Sequence, residues 1–324
     1  MLLGLVLFSS VAVTSTPSVT SGATTPEWVC VSVATVWERP SSARPIDAPA
    51  IADPAQIEDW LKSLSVSERL GLDSRINTQV LLGEMVIVTG HRGTWTRVEV
   101  PNQLGSKYPN GIVGWVPRVQ LTAIAPSTAS REVIVAVPRT WLYAVADGVV
   151  GRRRFLVSFD TELPVVGSVP GYALVGLPGG TPGAISNAAL DPVRDGLVSG
   201  ASIVKAARQF LGLPYLWGGT SGFGFDCSGL VYALYARYGL DLPRDAADQQ
   251  HAGRRVSLNQ LKPGDLLFFA GPGGKGPADH VAIYAGGGRV IDAPYTGASV
   301  ESVPMRSLPV WNNFSGAIGV KGAN

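Results

Sequence analysis

The sequence predicts an α+β protein, in which β-rich segments precede a C-terminal domain that combines helices with an antiparallel sheet. Glycine and proline account for 39 and 24 of the 324 residues and charged residues for only 15%, which is typical of turn-rich β proteins rather than helical bundles. A helical apolar pattern begins at Cys227, and two β-like runs flank a glycine cluster at 286–288. A chain of this length is expected to form about two or three domains.

Residues 1–25 begin with an apolar run over 2–13, followed by small and hydroxyl residues. The run is too short for a membrane-spanning helix. It is similar to the apolar region of a secretory signal, although no Lys or Arg precedes it. We expect a processed or disordered N-terminus and a secreted or cell-envelope protein, with a cytoplasmic recycling role as the alternative. The formal net charge of +2 argues against a dedicated nucleic-acid binder.

Residues 26–125 contain short strand-like runs separated by turns. The run at 94–100 alternates polar and apolar residues, as a half-buried strand does. The segment resembles a bacterial SH3-like barrel into which residues 54–70 insert a helix. Residues 126–192 are similar to a second, more divergent SH3-like barrel, with a turn at 147–148.

Residues 200–324 contain a cysteine in a distinctive setting. A glycine-rich loop at 217–224 leads into Cys227, and apolar residues at positions 230, 231, 234 and 235 fit one face of a helix. Cys227 is therefore expected at a helix N-terminus, where free N–H groups and the helix dipole stabilise a thiolate. The alternative is a small buried hydrophobic residue, the commonest role of a lone cysteine.

The candidate base is His280, which opens the alternating run 280–284. The run 289–294 follows three glycines and predicts a partner strand, so Asp292, 12 residues beyond His280, can lie beside it. A carboxylate bonded to one ring nitrogen fixes the imidazole tautomer and leaves the other nitrogen for the thiol. These three residue types form the catalytic set of a thiol peptidase. The alternatives are a core or surface histidine and an aspartate that caps a turn.

A series of ordered blocks extends over about 201–324. The blocks are Asp-Cys-Ser-Gly-Leu at 226–230, then 242–249, 261–269, 280–284 and 291–294. This series resembles the NlpC/p60 cysteine peptidases. The resemblance implies a papain-like fold and cleavage of the stem peptide of bacterial peptidoglycan, between γ-D-glutamate and a diamino acid such as diaminopimelate or lysine. It implies peptidoglycan peptides as partners, and no cofactor or metal.

The resemblance also implies roles for individual residues, which are catalytic (Cys227, His280 and Asp292), oxyanion-binding (Tyr215 and the backbone N–H of Cys227) and substrate-binding (Asp226, Ser228, Asp245 and Glu84). The family usually has histidine at the third catalytic position, so Asp292 is a departure that we expect to raise the pKa of His280. A helix N-cap is the alternative for Asp245, and a half-buried ring is the alternative for Tyr215.

Two SH3-like modules before an NlpC/p60 domain are similar to the γ-D-glutamyl-L-diamino-acid endopeptidases. In that subgroup the first barrel narrows the active site, so that short stems with a free N-terminal L-alanine fit, which suits cell-wall turnover or recycling. We expect a monomer without a stable membrane span. The alternatives are an N-acetylmuramoyl-L-alanine amidase or acyltransferase with the same fold, and a non-catalytic protein that binds the cell wall.

Overall fold

The structure is a computed structural model and describes residues 24–193 and 198–323. Most of the signal-like segment predicted at 1–25 lies outside the described residues. Within the two described ranges, none of the helices combines the length and the apolarity that crossing a membrane requires. In these ranges three large antiparallel sheets follow one another along the chain, with a two-stranded sheet before the third.

The first sheet has seven strands, in the order β3-β2-β6-β5-β4-β1-β7. Their bounds are β1 Thr25–Val29, β2 Val33–Trp37, β3 Ile76–Leu81, β4 Met85–Arg92, β5 Trp95–Val100, β6 Ile112–Pro117 and β7 Leu121–Thr122. The alternation predicted at 94–100 is confirmed, because Thr96, Val98 and Val100 of β5 are buried and the residues between them are half-buried. The buried faces of these strands pack into a continuous apolar core.

The helix predicted at 54–70 is split into α1 (Ile57–Ser63) and α2 (Val66–Leu70). Ser65 separates them, because its hydroxyl accepts the N–H of Glu68 at 3.2 Å and its own N–H donates to the Glu68 carboxylate at 2.8 Å. This reciprocal pair is a capping box, which starts a new helix. Trp60 of α1 is fully buried and donates its indole N–H to Asp47 at 2.9 Å. The insertion thereby extends the core of the first sheet.

The second sheet also has seven strands, in the order β10-β9-β13-β12-β11-β8-β14. Their bounds are β8 Glu132–Val135, β9 Arg139–Ala146, β10 Val149–Ser158, β11 Glu162–Val169, β12 Tyr172–Val175, β13 Gly183–Ser186 and β14 Leu190–Pro192. The predicted turn at 147–148 joins β9 to β10, and both of its residues have positive φ, as tight hairpins require. Leu82, in the turn that follows β3 of the first sheet, lies in the core of the second sheet, so the two sheets are in contact.

The remaining chain forms helices and a six-stranded sheet, in the order β17-β22-β18-β19-β20-β21. The helices are α3 Gly200–Ala207, α4 Cys227–Ala236 and α5 Ala246–Gln249, and a short turn spans Gly271–Gly274. The strands are β15 Thr220–Ser221, β16 Gly224–Phe225, β17 Gly253–Val256, β18 Leu266–Ala270, β19 Lys275–Gly286, β20 Arg289–Asp292, β21 Glu301–Pro304 and β22 Phe314–Val320; β15 and β16 pair separately. The predicted hairpin is confirmed as β19 and β20, joined through glycines 286–288, which all have positive φ.

Helix α4 is buried along nearly its whole length, from Cys227 to Tyr235. It shares one apolar core with Phe268 of β18 and Ile283 of β19, on one face of the six-stranded sheet. A separate cluster that includes Leu267 and Phe269 of β18 covers the other face. Because both faces of the sheet are covered, the strand that carries His280 is held rigidly against the helix that carries Cys227.

Both N-terminal sheets contact the loop that leads into α4. The side chain of Gln79 in β3 accepts the hydroxyl of Ser221 at 2.8 Å and the N–H of Thr220 at 3.3 Å. The second sheet holds the same loop through Ser158, whose hydroxyl accepts the N–H of Gly222 at 2.9 Å. These polar groups are buried, so each contact is protected from competition with water.

Candidate active site

Cys227 is the first residue of α4, which confirms its predicted place at a helix N-terminus. Asp226 is the N-cap, and its Oδ1 accepts the N–H of Gly229 at 2.6 Å. Gly229 has no room for a side chain, because a Cβ there would lie 2.0 Å from the carbonyl oxygen of Gly219. The first turn of α4 therefore packs directly on the glycine-rich loop, with Cys227 at the positive end of the helix dipole.

His280 and Asp292 meet on neighbouring strands. The Nε2 of His280 donates to the Oδ1 of Asp292 at 2.8 Å, and the two side chains are 10% and 1% exposed. With Nε2 engaged in this way, Nδ1 is the ring nitrogen left for the thiol. The structure thus brings together all three residues that the sequence nominated for catalysis.

The electrostatic surroundings of His280 favour the imidazolium. Burial alone disfavours that charged form, but the charges of Cys227 and Asp292, together with hydrogen bonds to both, outweigh burial and raise the pKa of His280 well above its ordinary value. A histidine that holds its proton beside a cysteine stabilises a thiolate. The arrangement can therefore supply a nucleophile and a proton donor at neutral pH.

Tyr215 lies beside this pair and is 5% exposed. Its backbone N–H donates to the carbonyl of Ala298 at 3.0 Å, which ties it to the loop that follows Asp292. Burial, and then the charges of Asp226 and Cys227, raise the pKa of the Tyr215 hydroxyl above its ordinary value. The phenol therefore keeps its proton and is available as a hydrogen-bond donor close to the nucleophile.

Asp226 and Ser228 flank the nucleophile, as the sequence requires, but their side chains already have partners. The Oδ1 of Asp226 accepts from the N–H of Gly229, the hydroxyl of Ser228 and Nη1 of Arg244, and its Oδ2 accepts from the N–H of Gly218 and Nη2 of Arg244. The carboxylate oxygens are thus saturated by donors of the protein itself. This geometry favours a structural role for Asp226 over the predicted contact with substrate.

Asp245 occupies the N-cap position of α5, but its side chain makes no capping hydrogen bond in the part of the chain that the structure describes. Partial desolvation and repulsion by Asp226 and Asp248 raise the pKa of its carboxyl, although the Arg244 and Lys107 charges oppose the shift. The capping alternative therefore does not account for this residue. Its exposed carboxylate remains available to a cationic ligand.

Glu84 is a further predicted substrate-binding residue whose carboxylate already has a partner in the protein. It ends the turn between β3 and β4, where its Oε2 accepts the N–H of Leu81 at 2.6 Å. Burial raises the pKa of Glu84 to about 7, against the lowering effect of that hydrogen bond. The Glu84 charge acts on Asp160, between β10 and β11, and on Tyr232 of α4. Glu84 is therefore fixed within its own turn, and its contact with substrate stays a prediction.

The first sheet approaches the site instead through the loop at 102–111, between β5 and β6. The N–H of Ser106 donates to the Asp248 carboxylate at 2.9 Å, and the hydroxyl of Tyr232 in α4 donates to the carbonyl of Asn102 at 3.1 Å. The loop holds Lys107 where its charge acts on Asp245. Lys107 was not predicted as a site residue, because a basic residue in a turn carries no sequence pattern that distinguishes it from other surface lysines.

Arg244 is the other residue that sequence reasoning missed. It is 2% exposed, and its guanidinium forms paired hydrogen bonds to Asp226, at 3.0 Å to Oδ1 and 2.6 Å to Oδ2. In the sequence, an arginine in a Pro-Arg-Asp segment predicts an exposed, charged side chain. A buried arginine is rare unless paired, and here the pairing is to the residue that caps the helix of the nucleophile.

Known proteins resemble this chain over most of its length. Residues 212–316, which contain Cys227, His280 and Asp292, match the NlpC/P60 family. The chain is 42% identical over 279 residues, covering 86% of this chain and 93% of the relative, to a protein of Bacillus subtilis (strain 168) named gamma-D-glutamyl-L-lysine dipeptidyl-peptidase. A protein of the same name from Bacillus cereus (strain ATCC 10987 / NRS 248) is 35% identical over 305 residues, which cover 90% of this chain and 89% of that relative.

A solved structure gives the same result for the fold. The crystal structure of an NlpC/P60 family protein from Bacillus cereus ATCC 10987 superimposes with a TM-score of 0.84 at 33% sequence identity, and covers 91% of this chain and 99% of that one. The likeness therefore includes both N-terminal sheets as well as the domain that contains Cys227, His280 and Asp292. The chain belongs to the NlpC/P60 family and is a cysteine peptidase.

Proposed function

We propose that this peptidase hydrolyses the bond between γ-D-glutamate and a diamino acid, diaminopimelate or lysine, in peptidoglycan stem peptides. The observation that carries the proposal is the placement of Cys227 at the start of α4 beside an imidazole that Asp292 orients at 2.8 Å. The two relatives that match most of the chain are both named for γ-D-glutamyl-L-lysine bonds. Shared geometry and extensive shared sequence support the same bond class here.

The catalytic cycle follows from the positions of these groups. The thiolate of Cys227 attacks the γ-carbonyl carbon, and the hydroxyl of Tyr215 and the backbone N–H of Cys227 donate to the oxyanion that forms. The His280 imidazolium then protonates the leaving amine, and the C–N bond breaks to give a thioester. Neutral His280 next takes a proton from water, whose oxygen attacks the thioester. The C–S bond breaks, the γ-carboxylic acid leaves and gives its proton to solvent, and the thiolate–imidazolium pair of Cys227 and His280 is restored.

We place the N-terminus of the substrate beside Asp245 because their charges are complementary. A stem peptide that begins with free L-alanine presents an ammonium, and the exposed carboxylate of Asp245 is a partner for it. The loop at 102–111 is fixed to α4 and to Asp248, so it limits how much peptide can extend past this point. We therefore favour short peptides over intact wall, with Ser228 close to the reacting bond.

The N-terminal part fits this role as two SH3-like modules, at about 26–125 and 126–192, before the peptidase domain at 200–324. The two seven-stranded sheets support this division, and in this proposal the loop at 102–111 of the first module narrows the site. We propose that the protein acts as a monomer in the cell envelope or outside it, in wall turnover or in the recycling of released peptides.

The test is cleavage of synthetic L-Ala-γ-D-Glu-L-Lys and its diaminopimelate counterpart, followed by mass spectrometry. We expect L-Ala-γ-D-Glu and the free diamino acid as products. The N-acetylated tripeptide is the matched control, and we expect its kcat/KM to be lower by at least about tenfold, because acetylation removes the ammonium that pairs with Asp245. Equal kcat/KM values for the free and the N-acetylated tripeptide would contradict the pairing of Asp245 with the N-terminal ammonium.

A further inference from the structure

A chain of buried hydrogen bonds runs from the first sheet to the helix of the nucleophile. Arg244 lies at its centre, with its guanidinium on Asp226 and its Nη1 also donating to the Ser228 hydroxyl at 3.0 Å. The remaining Nε–H points to the first sheet, where it donates to the hydroxyl of Thr78 at 3.0 Å. Residues before and after Cys227 are therefore tied, through one side chain, to a different part of the protein.

Thr78 is itself held in place. Its hydroxyl donates to the side-chain oxygen of Gln103, and the amide of Gln103 donates to the carbonyl of Gln79 at 2.7 Å. Thr78 and Gln79 are 0% exposed and Gln103 is 1% exposed. The backbone N–H of Arg244 also donates to the carbonyl of Leu104 at 3.0 Å. The first sheet thus fixes both the backbone and the guanidinium of Arg244.

The position of this guanidinium matters for the nucleophile. The Asp226 carboxylate precedes Cys227 directly, and a negative charge there opposes formation of a thiolate. Arg244 offsets that charge, and its own charge interacts favourably with Cys227. A shift of the guanidinium would leave the Asp226 charge less compensated and the cap of α4 less firmly held.

We propose that Thr78 and Arg244 are positioning residues, through which the first sheet orders the Asp226 cap of α4 and supports the thiolate of Cys227. The inference rests on Cys227 being the nucleophile of the proposed function. It gives the N-terminal part of the chain a role in the chemistry itself, in addition to limiting the length of the substrate.

The test uses the full chain with Thr78→Val, which removes the hydroxyl and keeps the shape, and Arg244→Lys, which keeps the charge and loses the paired contact. The matched control is Thr35→Val on the adjacent strand β2, because Thr35 is 0% exposed and its hydroxyl has no hydrogen-bond partner among the described residues. Two readouts are measured for each: the pH dependence of Cys227 alkylation by iodoacetamide, and kcat and KM for L-Ala-γ-D-Glu-L-Lys.

We expect Thr78→Val to move the midpoint of the alkylation profile to higher pH and to lower kcat by about 3- to 10-fold, because a buried charged donor loses its acceptor. The KM of Thr78→Val should change little. Arg244→Lys should raise the alkylation midpoint and lower kcat by more than Thr78→Val does. Thr35→Val keeps the wild-type midpoint and kcat. If the alkylation profile of Thr78→Val coincides with that of Thr35→Val, the inference is overturned. Because alkylation needs no substrate, a shifted profile supports the inference even if the peptide is not cleaved, a result that would contradict only the proposed function.

Discussion

The Nε2 of His280 donates to the Oδ1 of Asp292 across 2.8 Å, and the Asp292 side chain is 1% exposed. A carboxylate in such a buried site stabilises its imidazolium partner more than a neutral group does. The resemblance to the family led us to expect a histidine at this position, and Asp292 orients the imidazole while adding a negative charge beside it. The change has a measurable consequence in the pH dependence of the reaction.

Asp292→Asn is expected to narrow the active pH range from the basic side. The pKa of His280 is raised well above its ordinary value, in part by the Asp292 charge, so the imidazolium persists to high pH and is lost as pH rises through that pKa. Asparagine keeps an acceptor but removes the charge, so the basic limb of kcat/KM moves to lower pH by about one unit. The exposed Asp279→Asn on β19 is the control. An unchanged profile would contradict the orienting role of Asp292.

Asp245→Asn is expected to weaken binding of peptides with a free N-terminus. The exposed carboxylate makes no capping hydrogen bond within the described residues, so its loss removes a charge partner and not a helix cap. We expect KM for L-Ala-γ-D-Glu-L-Lys to rise by about 10-fold or more, with a small change in kcat. The N-acetylated peptide serves as the control, since its kcat/KM is expected to be the same for both enzymes. If Asp245→Asn lowered kcat/KM equally for the free and the N-acetylated peptide, recognition of the amine by Asp245 would be contradicted.

The two cysteines are expected to react very differently with iodoacetamide. Burial, followed by the charge of Asp53, raises the pKa of Cys30 to about 11, so Cys30 is a neutral thiol at pH 7.5 and alkylates slowly. Cys227 lies at a helix N-terminus beside His280, so we expect it to be the more reactive thiol. Peptide mapping at pH 7.5 should find the first adduct on Cys227, and Cys30→Ala should leave both labelling and activity unchanged. Preferential labelling of Cys30 would be inconsistent with this assignment.

Glu84→Gln is expected to change stability and not catalysis. The pKa of Glu84 is raised from 4.5 to about 7 in the folded protein, so between these values only the unfolded chain loses its proton, and stability falls as pH rises. Glutamine removes this loss and keeps an acceptor for the Leu81 N–H. At pH 8 we expect a melting temperature higher by about 2–4 °C, with a smaller difference at pH 4. Glu132→Gln, at an exposed site, is the control, and a large rise in KM would restore Glu84 to the substrate site.

The positions of Cys227, His280 and Asp292 in the fold could be predicted from the sequence because each leaves a local pattern. Cys227 stands where a glycine-rich loop changes to helical periodicity, and His280 and Asp292 lie in two strand-like runs around consecutive glycines. Helix starts and hairpins depend on short-range rules, so the positions of these residues follow from their neighbours. The same rules gave the strand β5 and the turn at 147–148 correctly.

The supporting contacts could not be predicted in this way. Arg244 and Thr78 are separated by 166 positions in the chain, and no periodicity connects a threonine in a strand to an arginine before a short helix. The partner of Glu84 could not be predicted either: its position in the sequence suggested a place at the cleft, and in the folded chain it is half-buried in the turn between β3 and β4, where it accepts the Leu81 N–H. Tertiary packing decides such positions, and it is visible only in the folded chain.

Cleavage of L-Ala-γ-D-Glu-L-Lys by wild type and by Cys227→Ala, followed by mass spectrometry, tests the central claim most directly. We expect wild type to release L-Ala-γ-D-Glu and lysine. We expect Cys227→Ala to lower kcat by at least about 10³-fold, with a melting temperature close to that of wild type. Cys30→Ala should cleave at the wild-type rate. Equal cleavage by wild type and Cys227→Ala would contradict the claim that Cys227 is the nucleophile.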